Sequence, residues 1–419
     1  MDDNKVKEKK EEEGSSKKKL VLRIIGFAVA LTVAVAAFTY GVVMIGHKDA
    51  GYNTVEADLV DSTLVNHGNL KFEYYFTGSS SEIKRALNGL RNRYGVALNR
   101  AFKMLDSETE YDGFNNIATV NVNNGAAVTV NQELYNVLFD AYTKTKENKG
   151  YNMFAGALYK EWNSILILED PLEYDPLFNE AEAKRLQKIA ETVNDLDNFE
   201  LVFNSEAKSV KLSVSGNYKA FVSEYELTDA PIIDLNLLYD AYELTLIADV
   251  LNGEGYTNGY FTTASGLSLS LDEHDNEAVY DFLYLDENGT LSSAANAKMT
   301  KCSVMSRFCV LPYKENEYYY YTAVKDGKTY NRNPYYTADG EFSGIIKSSY
   351  AISDKRSAAD VCYANIVLFA AKTPEDAAKA IESFTDISAA YILQNDDKPT
   401  FYTNKAAEGV IVVNPALAK

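Results

Sequence analysis

The chain has 419 residues, 41 Lys and Arg against 60 Asp and Glu, and a formal net charge of −19. A surface so acidic repels phosphate backbones, which excludes nucleic acid as a partner. Three Cys exclude a disulfide scaffold, and three His, at 47, 67 and 274, are too few and too scattered for a His-based zinc site or a Ser-His-Asp triad.

Residues 1–19 carry mixed charge with Gly14-Ser15-Ser16 and are expected to form a cytoplasmic tail. Residues 24–45 are uncharged and almost wholly apolar, and a membrane span needs about 20 such residues to cross ~30 Å of hydrocarbon. Lys17, Lys18, Lys19 and Arg23 precede this run, which places the N-terminus inside and the bulk of the chain outside. A cleavable signal peptide competes, given the small residues Ala34, Ala36 and Ala37. The long charged lead and long apolar run favour an uncleaved single-pass anchor over residues 20–46. Residues 47–69 read as a polar tether, and 70–419 as one extracytoplasmic domain large enough to bury a core.

Within that domain, Ile83, Leu87, Leu90, Tyr94, Leu98, Phe102 and Leu105 recur every three to four residues, predicting a helix over 82–105 with Ser79 and Glu82 as a capping box. A second helix is expected over 131–146, capped by Asn131 and burying Leu134, Val137, Leu138 and Ala141. A third is expected over 180–193. The period then falls to two, so strands are predicted at 199–203 and 210–214 around a turn at 204–208. A fourth helix, 236–251, is expected to stop at Gly253. Further strands are predicted at 260–263, 279–285, 303–311, 318–324, 344–352 and 365–370, with a hairpin turn at Asp286-Glu287-Asn288-Gly289. The last helix has Thr373 as its cap and Pro374 in its first turn. Helices and strands mix without strict alternation, so the fold class is α+β or a loosely wound α/β sheet. Cys302 and Cys309 are either a disulfide or buried thiols in neighbouring strands. The acidic run Asp272 to Glu277 lacks the Gly and closing Glu of a calcium loop and reads as solvated. Thirty-one Tyr, four of them consecutive at 318–321, are expected to alternate between core and solvent.

The stretch Lys149 to Trp162, KGYNMFAGALYKEW, resembles the segment "GxFDxxxGxLxxxW" of the FAD:protein FMN transferases, the ApbE family. Ile117 to Asn121, followed by Val128, Leu134 and Ala141, is similar to that family's "IxxLN…VSxELxxLLxxA". Asp234 to Tyr242, Ser357 to Ala364 and the run ending at Phe384 follow in family order, so the resemblance covers roughly residues 70–384 and implies an ApbE-like mixed α/β domain. It also implies FAD as substrate and a divalent metal such as Mg2+. Residue by residue, it carries over Asn121, Asp234 and Tyr242 as cofactor contacts and Asp360 as a metal ligand, with no catalytic residue.

The departures fall on the chemistry. Where the family's "DLGGIAKGYAVD" has a Gly pair and a Lys, this chain has Asn236-Leu237 and Asp240. Where "aDALsT" has a metal-ligating Thr, Ala364 stands four residues after Asp360. Gly327-Lys328-Thr329-Tyr330 fit the start of "GkxYhHIIDPxTG", but Arg332 takes a His position and Tyr335-Tyr336 the Asp-Pro pair. Met305-Ser306-Arg307 lacks the Gly of the family's "TSG". Thr262 to Gly266 lacks the residue order of a flavin acceptor and reads as a turn. The chain is therefore expected to be a degenerate, membrane-anchored member of the family that binds a flavin, a flavoprotein or another partner without transferring FMN. Two alternatives stand beside it: an active, divergent transferase with Arg332 serving the phosphates, and a cell-surface polymer-binding protein.

Overall fold

The computed structural model describes residues 49–58, 70–271, 277–286, 289–300, 303–314, 317–342, 344–394 and 400–417. The expected membrane segment, Cys302, the three His and most of the acidic run 272–277 lie outside these residues. No helix among the described residues is long and apolar enough to cross a membrane.

The described residues fall into two units, 49–51 with Phe76–Ala86, and the rest of the described chain. In the first, the backbone N–H and Oγ of Ser79 both donate to Glu82 Oε2, at 2.8 and 2.7 Å, so half of the capping box forms. The second holds nearly all the secondary structure.

In chain order the elements are β1 (Gly51–Val55), β2 (Lys71–Phe76), α1 (Ser80–Leu105), α2 (Ile117–Val122), β3 (Ala127–Thr129), α3 (Gln132–Lys146), α4 (Gly156–Leu166) and α5 (Glu180–Asn194). Then come β4 (Phe199–Asn204), β5 (Ser209–Val214), α6 (Gly216–Glu224), α7 (Tyr239–Gly253), β6 (Gly259–Thr262), β7 (Leu267–Ser270), β8 (Glu277–Leu285), β9 (Leu291–Thr300) and β10 (Val304–Cys309). The chain continues through β11 (Tyr321–Lys325), β12 (Lys328–Arg332), β13 (Ile346–Ser353), α8 (Ala358–Phe369), α9 (Pro374–Glu382), β14 (Ser388–Leu393), β15 (Phe401–Thr403) and β16 (Ile411–Val413).

Eight strands form one sheet in the order β1-β2-β6-β7-β10-β13-β14-β15. The pairs from β2 to β15 are all antiparallel. Three smaller sheets, β3-β5-β4, β16-β9-β8 and the ribbon β11-β12, complete an α+β architecture. A core of Phe282, Tyr284, Ala297, Tyr350, Ile392 and Phe401 fills the space where β8 and β9 meet β13, β14 and β15.

Most local expectations hold. Asn131 caps α3 by accepting the Leu134 N–H at 2.8 Å, and Thr373 caps α9 by accepting the Asp376 N–H at 3.1 Å. Asp286 closes the β8–β9 hairpin, accepting the Gly289 N–H at 3.0 Å through its carbonyl and the Thr290 N–H at 2.8 Å through its carboxylate.

Three expectations are corrected. Residues 365–370 are not a strand: 365–369 end α8, with Ala370 as its C-terminal cap, and Ser357 caps its start at 3.1 Å through the Asp360 N–H. α8 packs against β10, β13 and α7 and is buried around its whole circumference save Asp360 and Val367. An all-round apolar helix has no polar face, so its pattern matches that of a buried strand. The fourth helix stops at Gly253 as expected, but Gly253 is not its cap. Glu254 caps α7, Gly255 takes the left-handed conformation, φ +85°, and the Tyr256 N–H reaches back to Leu251 O at 2.9 Å. The Tyr run does not alternate: Tyr318 and Tyr321 turn their hydroxyls inward to Cys309 O and Asp175, while Tyr319 and Tyr320 between them are exposed.

Candidate functional site

The KGYNMFAGALYKEW segment is a scaffold under the candidate site. Gly156 opens α4 so close to the loop before α7 that a Cβ there would sit 2.2 Å from Pro231 O. Trp162 is buried, donates to Asn333 O at 3.0 Å and stacks on Tyr336 at 4.9 Å. Met153 O accepts the Asp234 N–H at 2.8 Å, and Asn152 O accepts the Asn236 side-chain N–H at 3.2 Å. The motif thus fixes the turn from which Asp234 and α7 project.

In that turn the Asp234 carboxylate accepts the Asn236 N–H at 2.7 Å, and burial pushes its pKa up against that hydrogen bond. Asn236 replaces the first Gly of the expected pair with φ +39°, left-handed backbone that Asn tolerates better than most residues. Asn121 is spent on architecture. Its Oδ1 accepts the Ile233 N–H at 2.8 Å and its Nδ2 donates to Ile233 O and Ser107 O, both at 3.0 Å. It also borders a cleft of about 410 Å3 lined by Tyr218, Lys219 and Asp229.

Tyr242, on α7, donates its hydroxyl to Asp140 Oδ2 at 2.8 Å, and burial drives its pKa well above the usual phenol value. Asp140 Oδ1 lies 2.6 Å from Lys144 Nζ, whose other carboxylate neighbour is Asp360 Oδ1 at 2.8 Å. Tyr242 and Asp360 are therefore brought together through two residues of α3. Asp234 and Asn121 belong to the neighbouring turn. Burial opposes ionisation of Asp360, but Lys144 and the Ser357 cap outweigh it and hold the carboxyl below its ordinary range. Asp140 and Lys144 escaped the sequence reading, although Lys144 lies seven residues after Val137 on the apolar face of α3, the one signal that marked it.

The donors here do not fit a divalent cation. Asp360 and Asp140 face an ammonium, and Ala364, buried, offers no side-chain oxygen. Among the described residues no group of three or more His, Cys, Asp or Glu is placed to hold a metal ion.

The positions that the resemblance assigns to phosphate contact carry other partners here. Asp240, in place of a Lys, accepts a hydrogen bond from Ser265 in the β6–β7 turn, where Gly266 is left-handed at φ +84°. That turn is structural, as expected of Thr262 to Gly266. Arg332 does not project a free charge. Its Nε and Nη2 reach the buried Asp175 at 2.8 and 3.1 Å, and Tyr321 adds a hydrogen bond at 2.9 Å. Burial would raise the Asp175 pKa, yet Arg332 brings it below the ordinary carboxylate value. Arg307 pairs with Glu317 and lies 4.1 Å over the Tyr313 ring. Cys309 and Cys362 are buried free thiols, pushed by burial to about 11 and about 12, too high for a reactive thiolate. Glu243, wholly buried on α7 with one oxygen unpartnered, is raised well above its usual range by burial and by Asp240.

A cavity of about 1100 Å3 lies between α5 and the β11–β12 ribbon. Tyr330, Tyr336 and Phe342 line it beside Lys328, Glu191 and Gln394. Trp162 contacts two of these rings, at 4.9 Å to Tyr336 and 4.6 Å to Phe342.

Neither a family model nor a curated protein sequence matches the chain. Solved structures do. The flavin transferase ApbE from Vibrio cholerae superposes with a TM-score of 0.55 at 10% identity, over 86% of this chain and 100% of that one. The ApbE protein from Thermotoga maritima gives 0.54 at 12%, over 86% and 99%. The apo Pseudomonas stutzeri flavinyl transferase ApbE gives 0.52 at 11%, over 87% and 97%. At such identities the likeness is one of architecture, and the chain has the fold of the ApbE flavin transferases.

Proposed function

We propose that the chain is a membrane-anchored, extracytoplasmic protein that uses an ApbE-type fold to bind a partner or small molecule and does not transfer FMN. The observation that carries this reading is Asp240, a carboxylate bonded to Ser265 where the resemblance requires a lysine. A pyrophosphate placed there would meet negative charge. Arg332, the cation that an active divergent enzyme would enlist, is already neutralised by Asp175. The apolar run 24–45 and the basic residues before it support the anchor and the outward placement of the domain.

A binding role falls most naturally to the cavity beside β12, whose aromatic and hydrogen-bonding lining suits a planar or polyhydroxylated molecule. The full-length chain, incubated with FAD, Mg2+ and an acceptor protein bearing the family's acceptor sequence, should leave that acceptor without covalent flavin fluorescence on a denaturing gel. A fluorescent acceptor band would reject the proposal. Titration with FAD, read through Trp162 emission, tests separately whether the cavity takes a flavin at all.

A further inference from the structure

The acid retained at the metal position is already paired with a cation of the chain itself. Lys144 Nζ reaches Asp140 Oδ1 at 2.6 Å and Asp360 Oδ1 at 2.8 Å, its side chain only 5% exposed while theirs are 40% and 38% exposed. Further contacts hold Lys144 and Asp140 in place. Tyr242 donates to the second oxygen of Asp140, the Tyr363 ring lies 5.8 Å from Nζ, and the Tyr363 hydroxyl donates to Lys144 O at 3.3 Å.

The geometry points to Lys144 as a tethered cation that stands in the place of a divalent ion, so that the paired carboxylates at the junction of α3 and α8 are held together without metal. An ammonium in contact with two carboxylates relieves their mutual repulsion with half the charge of a divalent cation, and it cannot share the position with one. Its place in the last turn of α3 adds a favourable interaction with the helix dipole. The assignment rests on the non-transferring role proposed above and deepens it, because it names the group that makes the metal dispensable. Removing the ammonium should leave two partly exposed carboxylates facing the space it occupied. Such a pair has the hard oxygen chemistry that Mn2+ and Mg2+ take.

The test uses the full-length chain and Mn2+ as the probe, with the loss of the free Mn2+ paramagnetic signal as the readout. Lys144→Ala should take up Mn2+ at least about tenfold more tightly than the unaltered chain, and Lys144→Ala with Asp360→Asn should lose that gain. If Lys144→Ala does not fold unaided, refolding with Mn2+ should restore native Trp162 emission where Na+ does not, because a ligand specific to the native state stabilises it. Mn2+ binding by the unaltered chain as tight as by Lys144→Ala would overturn the assignment. So would Mn2+ that neither binds the variant nor restores it. A flavin-labelled acceptor produced by the unaltered chain would instead refute the non-transferring role and leave the Mn2+ comparison intact.

Discussion

Asp175 and Arg332 form the most buried ion pair among the described residues, with side chains 0% and 8% exposed. Asp175 also accepts the Leu177 N–H at 2.7 Å and the Tyr321 hydroxyl at 2.9 Å. Asp175→Ala would leave a guanidinium out of water with no carboxylate, between the Phe342 and Tyr330 rings at 4.3 and 5.6 Å. Removing one member of a buried pair costs about 3–5 kcal/mol, whereas an exposed pair is worth about 1 kcal/mol or less. Asp175→Ala and Arg332→Ala should each lower stability by the larger amount, and the double substitution should cost far less than their sum. Urea unfolding followed by Trp162 emission measures this, since Trp162 is bonded to Asn333, the residue after Arg332. The pH dependence has a fixed sign. The folded Asp175 carboxyl lies below the unfolded value of about 3.9, so its contribution is complete above that pH and is lost as the pH falls through the folded value. Single substitutions costing under about 1 kcal/mol, or strictly additive ones, would refute the pairing and return Arg332 to the role of a free phosphate contact.

Glu243 has the opposite sign. Its folded pKa lies above the unfolded value of about 4.3, so its burden on stability is absent below that value and grows as the pH rises towards the folded pKa. Glu243→Gln should be more stable than the unaltered chain at pH 7, with the gap closing near pH 4; a pH-independent gap in urea midpoints would contradict this. Gly156→Ala should destabilise by about 1–3 kcal/mol through collision with Pro231 O, and thermal unfolding that leaves it unchanged would show that the α4–loop contact is loose.

What could be read from the sequence was whatever short-range chemistry dictates. Asn131, Thr373 and the Asp286–Gly289 turn act through neighbours two to four residues away, and each forms as expected. The stripe of α1 was legible because it keeps one polar face. α8 was not, since burial on every side erases the difference between a period of two and one of 3.6. At the candidate site, the positions of Asp360 and Tyr242 came from the resemblance, but their partners did not. Lys144 is 216 residues from Asp360, and Asp175 is 157 from Arg332. No local pattern encodes which carboxylate a distant cation will meet, and those two pairings separate the site found here from the one its motifs imply.

The long antiparallel sheet carries a demand on synthesis. Lys71 in β2 pairs with Thr262 in β6, so the first strand of the pairing leaves the ribosome roughly 190 residues before its neighbour exists. Until then β2 presents an unsatisfied edge, to which any other extended chain could attach. Maturation of this protein should accordingly depend on whatever shields residues 71–76 in the interval, and a chain truncated before Gly259 should be prone to aggregation however well its helices form.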